Sequence, residues 1–135
     1  MRTRVVLDTN VLLDLYVFND PRTEALKTAI ESDQLDLLTC RQALAELADV
    51  LVRPKFKLTP ERCHEILMQW QSSARAIADS EIQVSPWRCK DKADQIFLDL
   101  AWTFRPCTLI SKDLQVLKFS KRALKEHTKI VSSYS

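Results

Sequence analysis

The chain has 135 residues, a formal net charge of +2, 46% hydrophobic residues and no glycine, where an average soluble protein of this length carries about nine. Without glycine there is no P-loop, no G-x-G-x-x-G dinucleotide turn, no EF-hand loop and no G-x-S-x-G nucleophile elbow, so phosphate would have to be met by side chains or metal ions. The length suits a single domain spanning 1–135. No apolar run approaches the roughly 18 residues of a bilayer span, and the three apolar residues after Met1-Arg2-Thr3-Arg4 are too few for a signal peptide, so a cytoplasmic protein with no membrane association is expected.

Val5-Val6-Leu7 reads as a short buried strand. Asp8, Thr9 and Asn10 each suit a helix N-cap, and the apolar stretch Val11 to Phe18 follows as an interior helix. Asn19-Asp20-Pro21 is a turn, with Pro21 at the first position of a helix through Ser32. Leu35 to Thr39 reads as a second strand. Arg41 to Arg53 is an amphipathic helix with Leu44, Leu47, Ala48 and Leu51 on one face, stopped by Pro54. Thr59-Pro60 opens a helix that the pattern carries to about Ala78. Ile82-Gln83-Val84 is expected as a short strand. Asp91 to Phe104 is a further amphipathic helix, Cys107 to Ile110 a strand, Asp113 to Phe119 a short helix and Lys129 to Val131 a last strand. Short apolar strands alternating with helices predict a three-layer α/β fold with a mainly parallel, roughly five-stranded sheet covered on both faces.

In such a sheet, ligands bind beyond the carboxyl ends of the strands. Asp8 directly follows the first strand, and Asp113 lies three residues beyond Ile110. Taken alone, each reads first as a helix N-cap. On the helix through Asp94, that carboxylate shares the apolar face of Phe97, Leu98, Ala101 and Phe104, whereas Asp99 is expected to point to solvent. Glu46 borders the apolar stripe of its helix, and Asp49 is rotated away. A carboxylate at the edge of a buried face needs a partner, which is an arginine, a capping N–H, water or a divalent metal. Four acids from separate elements with this facing suit Mg²⁺ or Mn²⁺, which prefer oxygen ligands and keep exchangeable waters.

These residues carry a resemblance. Val5-Val6-Leu7-Asp8-Thr9-Asn10-Val11-Leu12-Leu13 resembles the opening of a PIN domain, the nuclease fold of many bacterial toxin–antitoxin toxins of VapC type. Glu46, in Ala43 to Phe56, matches the family's second acid, Asp94, in Arg88 to Ala101, its third, and Asp113, in Leu109-Ile110-Ser111-Lys112-Asp113, its last. The stretch Arg53-Pro54-Lys55-Phe56 is closest to the toxin-component branch of that family. The resemblance implies a parallel sheet with helices on both sides and a Mg²⁺- or Mn²⁺-dependent endoribonuclease acting on single-stranded RNA. It implies that Asp8, Glu46, Asp94 and Asp113 hold the metal while Asn10 and Ser111 orient them. Asp91 is a further acid that either contributes or caps its helix. The chain departs from many relatives at Lys112, where they have glycine, and at Gln115, where they have a second Asp.

Basic residues group at Arg53, Lys55 and Lys57, at Arg88, Lys90 and Lys92, and at Lys118, Lys121, Arg122 and Lys125. The middle group abuts the third acid motif, so Arg88, Lys90 and Lys92, with Lys112, are the expected substrate contacts. Trp70, Trp87 and Trp102 read as core or interface. The helix from Thr59, which bears Trp70, is a candidate homodimer face, and the family implies a cognate antitoxin as a second partner. Cys40, Cys63, Cys89 and Cys107 lack zinc spacing and read as reduced thiols. His64 and His127 lie outside every acid motif. The alternative reading is a catalytically weak module that binds RNA or another protein. A metal-dependent phosphatase needs Asp-x-Asp after the first strand, and Asp8-Thr9-Asn10 lacks the second Asp.

Overall fold

The computed structural model describes residues 2–135. Five strands, β1 (Thr3–Leu7), β2 (Leu35–Cys40), β3 (Ala74–Ile77), β4 (Cys107–Ile110) and β5 (Thr128–Val131), form one sheet in the order β3-β2-β1-β4-β5. Every neighbouring pair is parallel. Parallel pairing needs crossovers, and helices supply them. These are α1 (Thr9–Tyr16) and α2 (Glu24–Glu31), α3 (Arg41–Leu51) and α4 (Pro60–Ser73), α5 (Lys92–Thr103), and α6 (Leu114–Leu117) with α7 (Ser120–Leu124).

Strand alternation splits the core in two. Val5, Leu7, Leu35, Leu37 and Ile110 face α1 to α4, where Leu47, Leu51, Ile66 and Trp70 pack. Val6, Leu38, Leu109 and Ile130 face the other way, against Phe97, Leu98, Ala101, Val116 and Trp87. Both faces are therefore apolar, as an all-parallel sheet requires.

Four expectations change. The fourth helix ends at Ser73, not near Ala78, because Ala74 to Ile77 pair with Leu37 to Cys40 as edge strand β3. Ile82-Gln83-Val84 is not a strand. There the Gln83 N–H donates to Thr103 Oγ1 at 2.8 Å, a side chain taking the place of a ladder partner. Asp99 does not point to open solvent, since it accepts from the Ser85 N–H and Gln95 Nε2, each at 2.9 Å. Trp70 is 1% exposed, so the tryptophan proposed for a homodimer face belongs to the protein's own core. Trp87 is buried too and meets Trp102 edge-on at 5.2 Å. All four cysteines are free thiols, three of them buried.

A glycine-free chain must place other residues wherever φ turns positive. Asn19, Asp33, Lys57 and His127 take that role, with φ between 47° and 61°. No helix is long and apolar enough to cross a membrane among the described residues.

Candidate functional site

The strand order reverses direction between β1 and β4. The chain runs outward from β1 through β2 to β3, then starts again at β4 on β1's other side. Such a switch point leaves a crevice beyond the carboxyl ends of the two strands, because the flanking crossovers leave on opposite faces. Asp8 follows β1 and Asp113 follows β4 at this crevice. The Asp8 N–H donates to the Ile110 carbonyl at 3.2 Å and extends the β1–β4 pairing to the site itself.

The carboxyl groups of Asp8, Glu46, Asp91, Asp94 and Asp113 line a single cleft of about 460 Å³. Asp8 caps α1 by accepting from the Val11 N–H at 3.1 Å, and Asp113 caps α6 through the Gln115 N–H at 2.8 Å. Asp91 caps α5 through the Ala93 N–H at 2.9 Å. Capping uses one carboxylate oxygen of Asp113 and of Asp91, so it does not exclude a ligand role for the other. Ser111 ties the two strand-end acids together. Its buried hydroxyl donates to Asp8 Oδ2 and accepts from the Asp113 N–H at 3.1 Å. Asn10 lines the cleft from an exposed position, with its backbone N–H beside Asp8.

The electrostatics are those of crowded carboxylates. Burial raises the Asp8 pKa, opposed by the bonds from Ser111 and Val11. Burial also raises that of Glu46, opposed by the nearby Thr9 hydroxyl and by Arg53, and reinforced by Asp8 and Asp91. Thr9 Oγ1 lies near that carboxylate without reaching ordinary hydrogen-bond geometry. Asp94 is pushed up to about 7, first by burial and then by the neighbouring Asp113, with Asp91 and Asp8 acting in the same direction. Asp94 Oδ2 is buried with no hydrogen-bond partner. A buried, unpartnered carboxylate oxygen facing other carboxylates is costly.

These residues fit a hard divalent cation. All are oxygen donors, they repel one another, and one is unpartnered. Among the described residues, no group of three or more His, Cys, Asp or Glu side chains is arranged to hold a metal ion directly. Mg²⁺ does not require such a group, since it usually binds through one or two carboxylates and keeps several waters, through which further acids can act.

The remaining predicted contacts are elsewhere. Lys112, expected to touch substrate, instead pairs with Asp14 on α1 at 2.5 Å and does not line the cleft. The reason is electrostatic, because Asp14 is 8% exposed and needs a cation. Gln115 does not line the cleft either. Arg88 and Lys90, before α5, and Lys92, its first residue, are exposed and lie outside the cleft lining, with Arg88 Nη1 3.9 Å from Asp99. The cations that do line it are Arg53 and Lys55, from the first of the three basic groups and not the middle one expected at the site. A short 3₁₀ turn, Pro54–Phe56, brings them there, and Lys57 in the left-handed conformation closes that turn. The wall is completed by Leu13, Phe18, Val50 and Phe56. The sequence signal for this wall was Arg53-Pro54-Lys55-Phe56, legible as a motif but not as a cleft wall.

A family model described as PIN domain matches residues 4–115. Among solved structures, the chain is similar to one reported as the crystal structure of VapBC2 from Rickettsia felis bound to a DNA fragment from their promoter. The identity is 15%, the TM-score 0.62, and the match covers 98% of this chain and 100% of that one. At that identity the likeness concerns the fold. No curated protein matches the chain.

Proposed function

The chain belongs to the PIN domain family, and on that premise we propose that it is a Mg²⁺- or Mn²⁺-dependent endoribonuclease that hydrolyses phosphodiester bonds in single-stranded RNA. The observation that carries the reading is the gathering of five carboxyl groups in one switch-point cleft, with Asp94 Oδ2 buried and unpartnered. Asp8, Glu46, Asp94 and Asp113 are the proposed metal-holding residues, with Asp91 at the rim. A divalent ion bound there would lower the pKa of a water and stabilise charge on the phosphate and the leaving oxygen.

The protein's own residues do the rest. Ser111 holds Asp8 and Asp113 in fixed relation through its two hydrogen bonds. Arg53 and Lys55 set positive charge on the cleft wall, offsetting the acids and attracting a polyanionic strand. Leu13 and Val50 give the cleft a dry side. Lys112 and Gln115, the departures from relatives, lie outside the cleft lining, which favours the catalytic reading over a weakened module. The similar solved structure is a VapBC2 complex on promoter DNA, and we extend from it the proposal that this chain is the toxin of a type II pair with a cognate antitoxin.

The test compares cleavage of single-stranded RNA with Mg²⁺ or Mn²⁺, with EDTA, and with Asp8→Asn. Metal-dependent cleavage lost in EDTA and in the variant is expected. A wild-type protein that cleaves nothing, or cleavage unchanged by EDTA and by Asp8→Asn, overturns the reading and leaves the binding module.

A further inference from the structure

Phe18 lies two residues after α1 and is 56% exposed at the acid cleft. Singly exposed apolar side chains are common on protein surfaces, so what sets Phe18 apart is its place on the wall of the acid cleft and the way its backbone is held. It is not a side chain on a loose loop. The Phe18 N–H donates to the Leu13 carbonyl at 3.0 Å, and the Asp20 N–H donates to the Asp14 carbonyl at 2.9 Å. Between them, Asn19 takes a left-handed φ of 47°, which turns the chain sharply just after Phe18. The ring is thus held out on a fixed turn.

Its neighbour is Phe56, with ring centroids 5.8 Å apart and planes at 59°. The tilt leaves the two rings unstacked. Phe56 packs against the core beneath α1 to α4 and carries Lys55 Nζ 5.2 Å from its centroid. Phe56 is therefore partly buried by the core and Lys55, while Phe18 is the more exposed of the two rings. Arg53 and Lys55 line the same cleft. An exposed aromatic ring with cations beside it matches the chemistry of a single strand, whose bases stack on aromatic rings while its phosphates track positive charge. A duplex keeps its base faces stacked inside and offers none to such a wall.

We propose that Phe18 is a base-stacking platform that seats one unpaired nucleobase of a single-stranded RNA, with Arg53 and Lys55 holding the flanking phosphates. This makes Phe18 a specificity-determining residue that selects unpaired over paired RNA. The inference rests on the ribonuclease reading for its ligand, but it concerns binding and can be read without turnover.

The experiment uses the full chain with Ca²⁺ in place of Mg²⁺ and a single-stranded RNA carrying 2-aminopurine, whose fluorescence is quenched on stacking. Binding is measured for wild type, Phe18→Leu and Phe18→Trp, with circular dichroism to check folding. The same RNA with abasic positions and a hairpin duplex are the comparison ligands. Phe18→Leu keeps an apolar side chain and removes the aromatic face. It is expected to weaken binding on the order of ten-fold and to abolish the quench, within the usual effect of losing one stacked base. Phe18→Trp is expected to keep both, and abasic RNA to bind wild type as weakly as normal RNA binds Phe18→Leu. Equal binding and quenching by wild type and Phe18→Leu overturns the proposal and points to a protein-docking role for this wall. Wild type binding abasic or duplex RNA as tightly as the single strand, or binding no RNA, overturns it too. Metal-dependent cleavage with no Phe18 effect defeats the platform and leaves the nuclease. A stacking signature without cleavage does the reverse.

Discussion

Replacing Ser111 by alanine removes one buried oxygen on which two acids depend. The hydroxyl is fully buried, and it donates to Asp8 Oδ2 and accepts the Asp113 N–H at 3.1 Å. A hydrogen bond to a charged group contributes about 1.5–3 kcal/mol, and a half-buried N–H left without an acceptor costs about 1 kcal/mol. Ser111→Ala is therefore expected to destabilise the fold by about 3 kcal/mol. For a domain of 135 residues, whose unfolding entropy is about 0.28 kcal/mol/K, this lowers Tm by about 10 °C. The assay is thermal and urea unfolding in EDTA, with a double-mutant cycle against Asp8→Ala. The cycle subtracts the lost helix cap and leaves the Ser111–Asp8 coupling, expected at about 1.5–2 kcal/mol. A Tm within about 2 °C of wild type, together with a coupling under about 0.5 kcal/mol, refutes the bridging role.

The Asp94 carboxyl, pushed up from 3.8 to about 7 mainly by burial, sets a pH dependence. Between those values the folded chain binds the proton that the unfolded chain has lost, so this group makes stability fall as pH rises through that window and level above it. In EDTA, Asp94→Asn should therefore melt above wild type at pH 8, with the gap narrowing as pH is lowered toward 4; a variant that melts below wild type at pH 8 contradicts the crowding. Lys112→Met leaves Asp14 without its cation, which should lower stability by about 1 kcal/mol given the half-exposed lysine. RNA cleavage should be unchanged, and a large loss of cleavage would mean that Lys112 serves the cleft after all. His127→Gly relieves a left-handed backbone at φ 61° and should raise stability by about 0.5–1 kcal/mol in urea unfolding, net of the extra freedom of the unfolded chain. No gain would mean that His127 adopts this conformation without strain.

Most of the architecture was legible because the strands that bury both faces are short β-branched or leucine-rich runs between helices. Val5 to Leu7, Leu35 to Thr39 and Cys107 to Ile110 stand out in this way. The edge strand did not, since Ala74-Arg75-Ala76-Ile77 continues a helical composition and becomes a strand only through pairing with β2. Tertiary context overrides propensity there. The helical wheel gave the direction of Asp94 toward the acid cleft. For Asp99 it could not show that the loop from Ser85 to Cys89 returns over the opposite face, where the Ser85 N–H joins Gln95 Nε2 of the same helix as a donor to that carboxylate. The acids were readable one by one because each ends a strand or sits at a stripe edge. Their basic neighbours were not, since cleft membership depends on a turn at Pro54 and not on distance along the chain. Lys112 lies next to Asp113 in sequence and outside the cleft, while Arg53 and Lys55 lie far off in sequence and inside it.

The sheet order has a consequence for when the cleft can exist. Asp8 follows the first strand and Asp113 follows the fourth, and β1 meets β4 only after the β2 and β3 crossovers have been made. The Ser111 that joins the two acids has its own N–H bonded to the Val131 carbonyl of β5 at 2.9 Å. During synthesis the amino-terminal half already carries Asp8 and Glu46 but lacks Asp94, Ser111 and Asp113. The acid cluster is thus completed only after β4 has been added, a delay imposed by strand order alone.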